Sequence, residues 1–368
     1  MNFELNDEQR MLSESLSRFL ADRYAFDKRQ KFVAMPTGFD RAIWQGYADM
    51  GLFALPFSEE EGGIGGTAAE TMLVAEAMGS AITVEPWLEA IAIAPALLKA
   101  GSAEQQAGVI EGLIAGEIVP TWAHLETGMI DRGEGIQTQE NGGKLSGTKT
   151  VVSYGEEADL IFVTALDASG ATGLYMVRKG AGGMEARSYR TQDEQRASEL
   201  TFDGTPAEKL AGGIPADVAI GMAESKALAA SIGEALGAME KAIDLTVAYI
   251  KEREQFGRPI GTFQALQHIA AQAVVEKEQV KSMAMYAALM CEDEDVTTRD
   301  LALSTAKVKM CDASRYVGQM AIQLHGGVGM TMEYAIGHYF KRLTMLEIAW
   351  GDRDFHMDRL CEAGGLAA

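Results

Sequence analysis

The order in which the apolar periodicity changes along the chain is the feature that most constrains the fold. From Asn6 to about Gly116 apolar residues recur at helical spacing, and Asn6 itself is able to cap a helix. From about Val119 to Lys209 the pattern consists of short β-like runs punctuated by glycine and aspartate, which predict strands. Helical spacing returns at Ala216. Helices, then strands, then helices, without alternation, exclude a doubly wound nucleotide-binding fold.

The stretch from Ala216 onward predicts one long helix. Its apolar positions step by three or four residues and describe one face: Leu228, Ile232, Leu236, Met239, Ile243, Val247 and Ile250. The helix is expected to end before Gly257 and Pro259, and a second long helix spans roughly Phe263 to Met290, followed by the acidic segment CEDEDVTTRD as a loop. The predicted class is therefore α+β and multidomain. It comprises an N-terminal helical domain at 1–117, a middle β-barrel or sandwich domain at 118–212 and a C-terminal four-helix bundle at 213–368.

Composition excludes several classes of function. The 368 residues are 47% apolar and 23% charged, as in ordinary globular proteins, and the net charge of -21 argues against nucleic-acid binding, which needs clustered cations. The three cysteines and five histidines have neither a disulfide framework nor metal-ligand spacing, so we expect no metal. The acidic, amphipathic start lacks the features of a secretory signal, and no apolar run is long enough for a membrane span. These patterns predict a cytoplasmic protein.

The segment REQFGRPIGTFQALQH, at Arg253 to His268, is the most informative one for chemistry. Two alternatives follow from the residues alone. The segment is either an ordinary helix end, with Gly257 as the stop and Arg253 favouring the helix dipole, or a ligand site. In a ligand site the Arg253 guanidinium would fork onto a pyrophosphate, and Phe256 would cover a planar ring.

Two spaced motifs resemble the paired FAD signatures of acyl-CoA dehydrogenases. They are ERxxFGxxIxxFQ and, about 70 residues later, QLHGGVGMT; an LxxEQ at Leu5 to Gln9 and the break EEEGGIGG extend the resemblance over nearly the whole chain. The resemblance implies FAD contacts from one subunit at Arg253, Gln255, Phe256 and Gln264. It also implies that Gln323, Gly326 and Gly327 approach the adenine half of a flavin held mainly by a neighbouring subunit. On this view the two segments meet at one flavin from different chains, which predicts at least a dimer.

In the middle domain the sequence departs from the family pattern at two positions. The segment TWAHLETG places Trp122 and Leu125 where the family contacts flavin, and Leu125 replaces a hydroxyl that would bond a ring oxygen. On the second flavin-facing strand, Ser153 keeps the hydroxyl expected near the flavin N5, whereas Val151 stands in place of an indole. Ordinary strand packing is the alternative explanation for these apolar residues.

The largest departure concerns the catalytic base. Counting without gaps from HGGVG, the family's Tyr-Glu-Gly-Thr falls on Ala349, Trp350, Gly351 and Asp352, and the position that some relatives use instead is Ala227. Neither position carries a carboxylate here. The candidates for a base are Glu234, whose apolar neighbours would raise its pKa, and Asp352.

Asp352 has two further interpretations, as a flavin contact or as the N-cap of the helix that begins DRDFHMDRL. In that helix His356 is expected on a solvated face, among charged neighbours.

The resemblance implies FAD-dependent α,β-dehydrogenation of an acyl-CoA thioester, by the chain alone or with a partner. The pattern near the C-terminus resembles the small subunits of two-component enzymes of the pimeloyl-CoA dehydrogenase type, in which a related chain can supply the base. The alternative is a scaffold subunit that completes FAD sites without reacting, and a flavoprotein oxidase or monooxygenase of the same fold is a third. The implied partners are an acyl-CoA substrate, electron-transfer flavoprotein as acceptor, and further copies or a related subunit in a homo-oligomer or heteromer.

Overall fold

The fold was analysed in a computed structural model, which describes residues 5–129 and 135–364. Its α-helices are α1 Asp7–Arg23, α2 Phe26–Ala34, α3 Arg41–Asp49, α4 Ala68–Ala81, α5 Ala94–Leu98, α6 Ala103–Ile114, α7 Ala216–Glu252, α8 Gln264–Met290, α9 Val296–His325, α10 Ile336–Ile348 and α11 Arg353–Glu362. The strands are β1 Pro120–Ala123, β2 Gln139–Asn141, β3 Lys144–Ser153, β4 Leu160–Leu166, β5 Thr172–Arg178, β6 Met184–Arg190, β7 Arg196–Pro206, β8 Glu208–Lys209, β9 Glu254–Gln255 and β10 Arg258–Pro259. The predicted order of helices, sheet and helices is confirmed.

The first helix begins where the sequence predicts. The Asn6 side chain accepts a hydrogen bond from the Gln9 backbone N–H, and the Gln9 side chain accepts one from the Asn6 N–H. This capping box satisfies two backbone donors that would otherwise lack partners at the helix start.

The middle region forms an eight-stranded sheet in the order β6-β7-β3-β2-β4-β5-β8, with β1 paired in parallel to β4. β4 is buried along nearly its whole length, whereas β3 alternates. The pairing register of β3 with β7 shifts between Lys149 and Val152, so β3 carries a bulge there. β3 is also the strand that is expected to face a flavin.

The C-terminal helices form a bundle around a core contributed by α4, α7, α8, α9 and α10. Helix α4 approaches α7 so closely that a Cβ at Gly79 would lie 1.9 Å from the Glu234 carbonyl oxygen. A Cβ at Gly237 would lie 1.8 Å from the Glu76 carbonyl oxygen. The small residues of SIGEALGAM are therefore required by helix packing.

Contacts divide the chain into two units. One contains the described residues up to Gln30, Ala68–Thr83 and the chain from Leu228 on; the other contains Lys31–Thr67 and Val84–Ala227. This division groups the first helix with the bundle, and the boundaries at 117 and 212 stay sequence-based predictions. One local prediction is wrong: Val296–Asp300 begins α9 rather than extending the acidic loop, because Asp295 caps that helix through the Thr297 N–H.

Candidate functional site

Both signature segments line one cleft of about 690 Å³ within the bundle unit. The lining residues are Tyr249, Arg253, Gln255, Phe256, Ile260, Phe263, Leu266, Ile269, Gln323, Leu324, His325, Gly326, Gly327 and Val328. The expectation that the Arg253 and Gln323 segments meet only from different chains is thus corrected. The end of α7 and the end of α9 already bring them together in one chain.

One wall of the cleft is a two-strand hairpin of β9 and β10. Its turn is Phe256–Gly257, with φ of +55° and +74° at the two residues, the pattern of a type I′ turn. Phenylalanine rarely adopts this backbone region. Phe256 does so without being packed into the core, since it is 91% exposed. An exposed aromatic ring on a strained turn is a typical feature of a functional site.

Arg253 supplies a cation to this cleft. Its side chain is exposed, and within the part of the chain that the structure describes its guanidinium has no hydrogen bond or ion pair. In a protein with a net charge of -21, a cation that no carboxylate neutralises is available to an anionic ligand.

The opposite wall is the end of α9. Gly326 ends the helix at φ +59°, and no atom lies within 4 Å of a Cβ built at Gly326 or Gly327, so the backbone there borders open space. The Gln323 side chain is exposed beside it. Gln264, in contrast, is exposed at the first position of α8 and does not line the cleft.

His325 is a cleft residue that the sequence did not single out. It is 3% exposed, stacks on Tyr249 with ring centroids 4.4 Å apart, and donates from Nδ1 to the Ala321 carbonyl at 2.8 Å. Burial lowers the pKa of His325, and its Nε2 is buried without a hydrogen-bond partner in the described chain. In the sequence His325 appears only as the histidine of the HGGVG motif, and no sequence pattern indicates that it lines a cleft.

These features fit the nucleotide half of FAD. An unpaired guanidinium suits a pyrophosphate, while exposed amides and an exposed phenyl ring suit a planar base. The volume is also in the range of small-molecule sites. The residues of the cleft therefore match the group that the resemblance implies.

The predicted flavin residues of the sheet lie in the other unit. Trp122 is buried, stacks on His124 at 4.5 Å and donates from Nε1 to Thr164 Oγ1 at 3.0 Å. Ser153, at the end of β3, is half-buried, and its carbonyl accepts a hydrogen bond from Thr121 Oγ1 at 2.5 Å. The structure thus places the ends of β1 and β3 side by side.

Val151 lies in the bulge of β3, and Leu125, just after β1, bonds to the neighbouring bulge residue Thr150. Leu125 is half-buried, and its carbonyl accepts a hydrogen bond from the Thr150 N–H at 2.8 Å. Val151 has φ +52°, an outlier for a β-branched residue, and is 54% exposed. The position that lacks the family's indole therefore combines strain with exposure.

The side chain of Glu234 has a charged partner as well as apolar neighbours. Its carboxylate is fully buried and accepts from Arg342 Nε at 2.6 Å and from Arg342 Nη2 at 2.8 Å. Both carboxylate oxygens are therefore bound by one guanidinium, so the apolar environment on which its candidacy as a base rested is corrected.

Asp352 is the N-cap of α11, where its Oδ1 accepts from the Phe355 N–H at 2.9 Å, and its side chain is exposed. Ala227 is buried. Trp350, which counting from HGGVG aligns with the family's glutamate, is half-buried and has φ +62°. The expectation that His356 lies on a solvated face is wrong: the ring is 1% exposed and contacts Ser304 and the Trp350 carbonyl.

Two absences concern the part of the chain that is described. Residues 5–129 and 135–364 contain no cluster of side chains able to hold a metal ion. No described helix is long and apolar enough to cross a membrane.

Comparison with known proteins gives consistent matches. Residues 6–117 match the model for the acyl-CoA dehydrogenase N-terminal domain, and residues 225–364 match the model for the acyl-CoA dehydrogenase C-terminal domain. The chain is 30% identical to acyl-CoA dehydrogenase FadE28 of Mycobacterium tuberculosis over 322 residues, 86% of this chain and 91% of that protein.

Two solved structures are similar over almost their whole length. The structure of the Tcur3481-Tcur3483 steroid ACAD G363A variant is 28% identical with a TM-score of 0.89, covering 98% of this chain and 99% of that one. The ChsE4-ChsE5 complex from Mycobacterium tuberculosis is 26% identical with a TM-score of 0.87, covering 100% and 99%.

Proposed function

The chain belongs to the acyl-CoA dehydrogenase family, and we propose that it works as one subunit of a heteromer in which a related chain supplies the catalytic base. It is an FAD-dependent oxidoreductase that acts on the CH–CH bond of acyl-CoA thioesters. The alternative of a scaffold subunit that does not react is not favoured, because the curated relatives are acyl-CoA dehydrogenases and a related reductase.

The residues of the bundle cleft would hold the nucleotide half of the cofactor. The Arg253 guanidinium would bind the pyrophosphate, and Phe256, Gln255 and Gln323 would bind the adenosine part beside the open backbone of Gly326 and Gly327. In the sheet unit, taken by itself, Trp122, Leu125 and Ser153 are the residues that we propose for contact with a flavin ring. When bound, FAD supplies the two-electron oxidant for the β-carbon.

The single observation that carries the heteromer proposal is the lack of a free carboxylate at each candidate position. Dehydrogenation removes the acidic α-hydrogen as a proton, which needs a base within reach of that carbon. Trp350 and Ala227 occupy the two family positions, Glu234 is bound by Arg342, and Asp352 caps a helix. A carboxylate from a second, related chain provides the missing proton acceptor.

The names of the similar structures support this assembly and suggest a substrate class. One of these structures is the ChsE4-ChsE5 complex, and the other is a steroid ACAD with two named components, Tcur3481 and Tcur3483. We therefore propose a bulky, ring-bearing acyl-CoA as the substrate and electron-transfer flavoprotein as the acceptor. The chain would act in the cytoplasm as part of an oligomer.

Anaerobic flavin spectroscopy tests the function. The FAD-loaded chain is mixed with a panel of short, branched, dicarboxylic and steroid side-chain CoA thioesters, alone and after co-purification with a related dehydrogenase chain from the same genome. The proposal predicts loss of the flavin absorbance with the pair. A protein that binds no FAD, or a pair that no thioester bleaches, contradicts it.

A further inference from the structure

The cleft that holds both signature segments is bordered by a cluster of three aromatic rings. Tyr249 and His325 stack with their ring centroids 4.4 Å apart and an interplanar angle of 26°. Tyr334 lies beside both, with its centroid 6.4 Å from that of Tyr249 and 5.2 Å from that of His325. Tyr249 and His325 also line the cleft. The cluster therefore joins α7 to the end of α9 at the border of the cleft.

His325 is the fixed member of this cluster. It is 3% exposed, and its Nδ1 donates to the Ala321 carbonyl one turn earlier in α9, at 2.8 Å. A Cβ at Gly329 would lie 3.1 Å from the His325 Cβ, so the chain that follows α9 packs closely against it. Burial, the hydrogen bond and this packing hold the imidazole in place, and the imidazole therefore supports one face of the Tyr249 ring.

Tyr249 is the open member of the cluster. It is half-buried, and within the described residues its ring contacts are those with His325 and Tyr334. Its hydroxyl has no hydrogen bond in that part of the chain, whereas a tyrosine that is buried for packing alone usually finds a partner for this group. The uncovered part of the ring borders the cleft of about 690 Å³, where a planar ligand can stack on it.

Two other aromatic rings of the cleft are less suited to this task. Phe256 is 91% exposed and meets Phe263 edge-on, with centroids 6.2 Å apart, so a ligand would have to immobilise it. Phe263 has the Arg258 guanidinium over its ring, 4.2 Å from the centroid. A ring that is already held loses less conformational entropy when a ligand binds, which favours Tyr249.

The position of Tyr249 relative to Arg253 matches the layout of a nucleotide. The Arg253 N–H donates to the Tyr249 carbonyl at 2.8 Å, so the two residues are one helical turn apart, and both line the cleft. Residues at this spacing lie on the same face of a helix, with about 5–6 Å between their Cβ atoms. In adenosine diphosphate the base and the diphosphate are likewise joined through one ribose. A ring beside an unpaired guanidinium therefore suits that group.

We propose that Tyr249 is the platform on which the adenine of the bound nucleotide stacks, and that His325 is a positioning residue behind it. This role rests on the proposed function, which puts the nucleotide half of FAD in the cleft. Arg253 binds the diphosphate one turn further along, and the open backbone of Gly326 and Gly327 leaves room for the adenosine. The base is thus held by a ring that the protein has already fixed.

Calorimetric titration of the full-length chain with ADP measures the contribution of the ring. Tyr249→Leu should weaken ADP binding about tenfold, the effect of losing one base-stacking side chain, while Tyr249→Phe keeps the ring and should bind ADP within about twofold of the parent. Tyr286→Leu is the matched control, because Tyr286 is another partly exposed tyrosine of the bundle and does not line the cleft. It should leave ADP affinity unchanged.

Proton NMR of bound ADP tests the stacking independently of affinity. A base that stacks on an aromatic ring has its H2 and H8 resonances shifted upfield, and we expect this shift with the parent and with Tyr249→Phe. His325→Leu removes the ring behind Tyr249 and should reduce both the shift and the ADP affinity, whereas His325→Phe restores a ring there and should recover them. Equal ADP affinity and equal shifts in His325→Leu and the parent overturn the positioning role.

The stacking role of Tyr249 is overturned by unchanged ADP affinity in Tyr249→Leu, by an equal loss in Tyr286→Leu, or by adenine resonances without an upfield shift in the parent complex. If Tyr249→Leu fails to fold, the shifts in the parent and in Tyr249→Phe decide the question. A parent chain that binds FAD but not ADP also overturns this role, because ADP is the part of the cofactor that the cleft is inferred to hold. A parent that binds neither means that the proposed function itself has failed.

Discussion

The Glu234 carboxylate is held by both arms of one guanidinium, with Arg342 Nε and Nη2 at 2.6 and 2.8 Å from its two oxygens. Glu234 is fully buried on α7, and the Arg342 side chain on α10 is 13% exposed. The pair therefore links two helices of the bundle core, and its loss should be visible in stability rather than in chemistry.

Glu234→Gln should lower the free energy of unfolding by about 3 kcal/mol, because the buried guanidinium loses its counter-charge. The joint change Glu234→Leu with Arg342→Met should be less destabilising than the single change. Urea unfolding measures both. The rate of flavin reduction per folded, FAD-loaded heteromer should stay unchanged, whereas normal stability with abolished reduction would make Glu234 the base.

Asp352→Ala should lower the free energy of unfolding by about 1 kcal/mol, because α11 loses the acceptor for the Phe355 N–H. Asp352→Ser is the control, since serine caps a helix but has no carboxylate, and it should restore stability. Flavin reduction that is lost in the serine variant at full FAD occupancy would instead identify Asp352 as a proton acceptor.

Arg253→Ala should weaken FAD binding about 10-fold or more, the effect of removing a charge-assisted hydrogen bond. Arg10→Ala removes the same charge from an exposed arginine paired with Asp7 and should leave FAD affinity unchanged. Fluorescence titration of the apoprotein with FAD measures both. Equal FAD affinity in the parent and in Arg253→Ala would contradict the proposal that this cleft binds FAD.

Glu126 and Lys149 form a buried pair in the sheet unit, 2.5 Å apart, beside the predicted flavin strand. Burial raises the pKa of Glu126, but hydrogen bonds from Lys149, Thr138 and Gln137 outweigh it and lower the pKa overall. A lowered pKa in the folded state means that the ionised carboxylate stabilises the fold above its usual pKa, and that this contribution disappears as the pH falls through the lowered value.

Glu126→Gln should accordingly destabilise the protein at pH 7, and the difference from the parent should shrink at acidic pH. Thermal midpoints between pH 7 and pH 3 measure it, with the exposed Glu185→Gln as the control for losing a surface carboxylate. A difference in thermal midpoint between parent and Glu126→Gln that stays constant from pH 7 to pH 3 would contradict the lowered pKa of Glu126.

The sequence predicted the parts of the fold that depend on local chemistry. Asn6 caps the first helix as expected, and the apolar face from Leu228 to Ile250 lies on one helix, because both depend on residues within a few turns. The two FAD motifs were also visible from their spacing. That they share a cleft in one chain was not, because it depends on how the ends of two long helices pack.

The environment of Glu234, a candidate base, could not be predicted from the sequence for a related reason. Glu234 has apolar sequence neighbours, but its partner Arg342 lies 108 residues later, where no pattern indicates the contact. His356 stands among Arg353, Asp354 and Asp358, and this charged context predicted a solvated face. The buried ring instead contacts the Trp350 carbonyl at the left-handed turn and the Ser304 hydroxyl 52 residues earlier, neither of which the charged context indicates.

The most direct test of the central claim is anaerobic flavin absorbance after addition of the best thioester from the panel to the isolated, FAD-loaded chain and to its heteromer. The account predicts that the isolated chain keeps its flavin oxidised, because among the described residues none of the candidate positions offers a free carboxylate as the base, and that the heteromer bleaches. Changing the partner's base to its amide should abolish bleaching. Full bleaching by the isolated chain would contradict the claim that the base comes from another subunit.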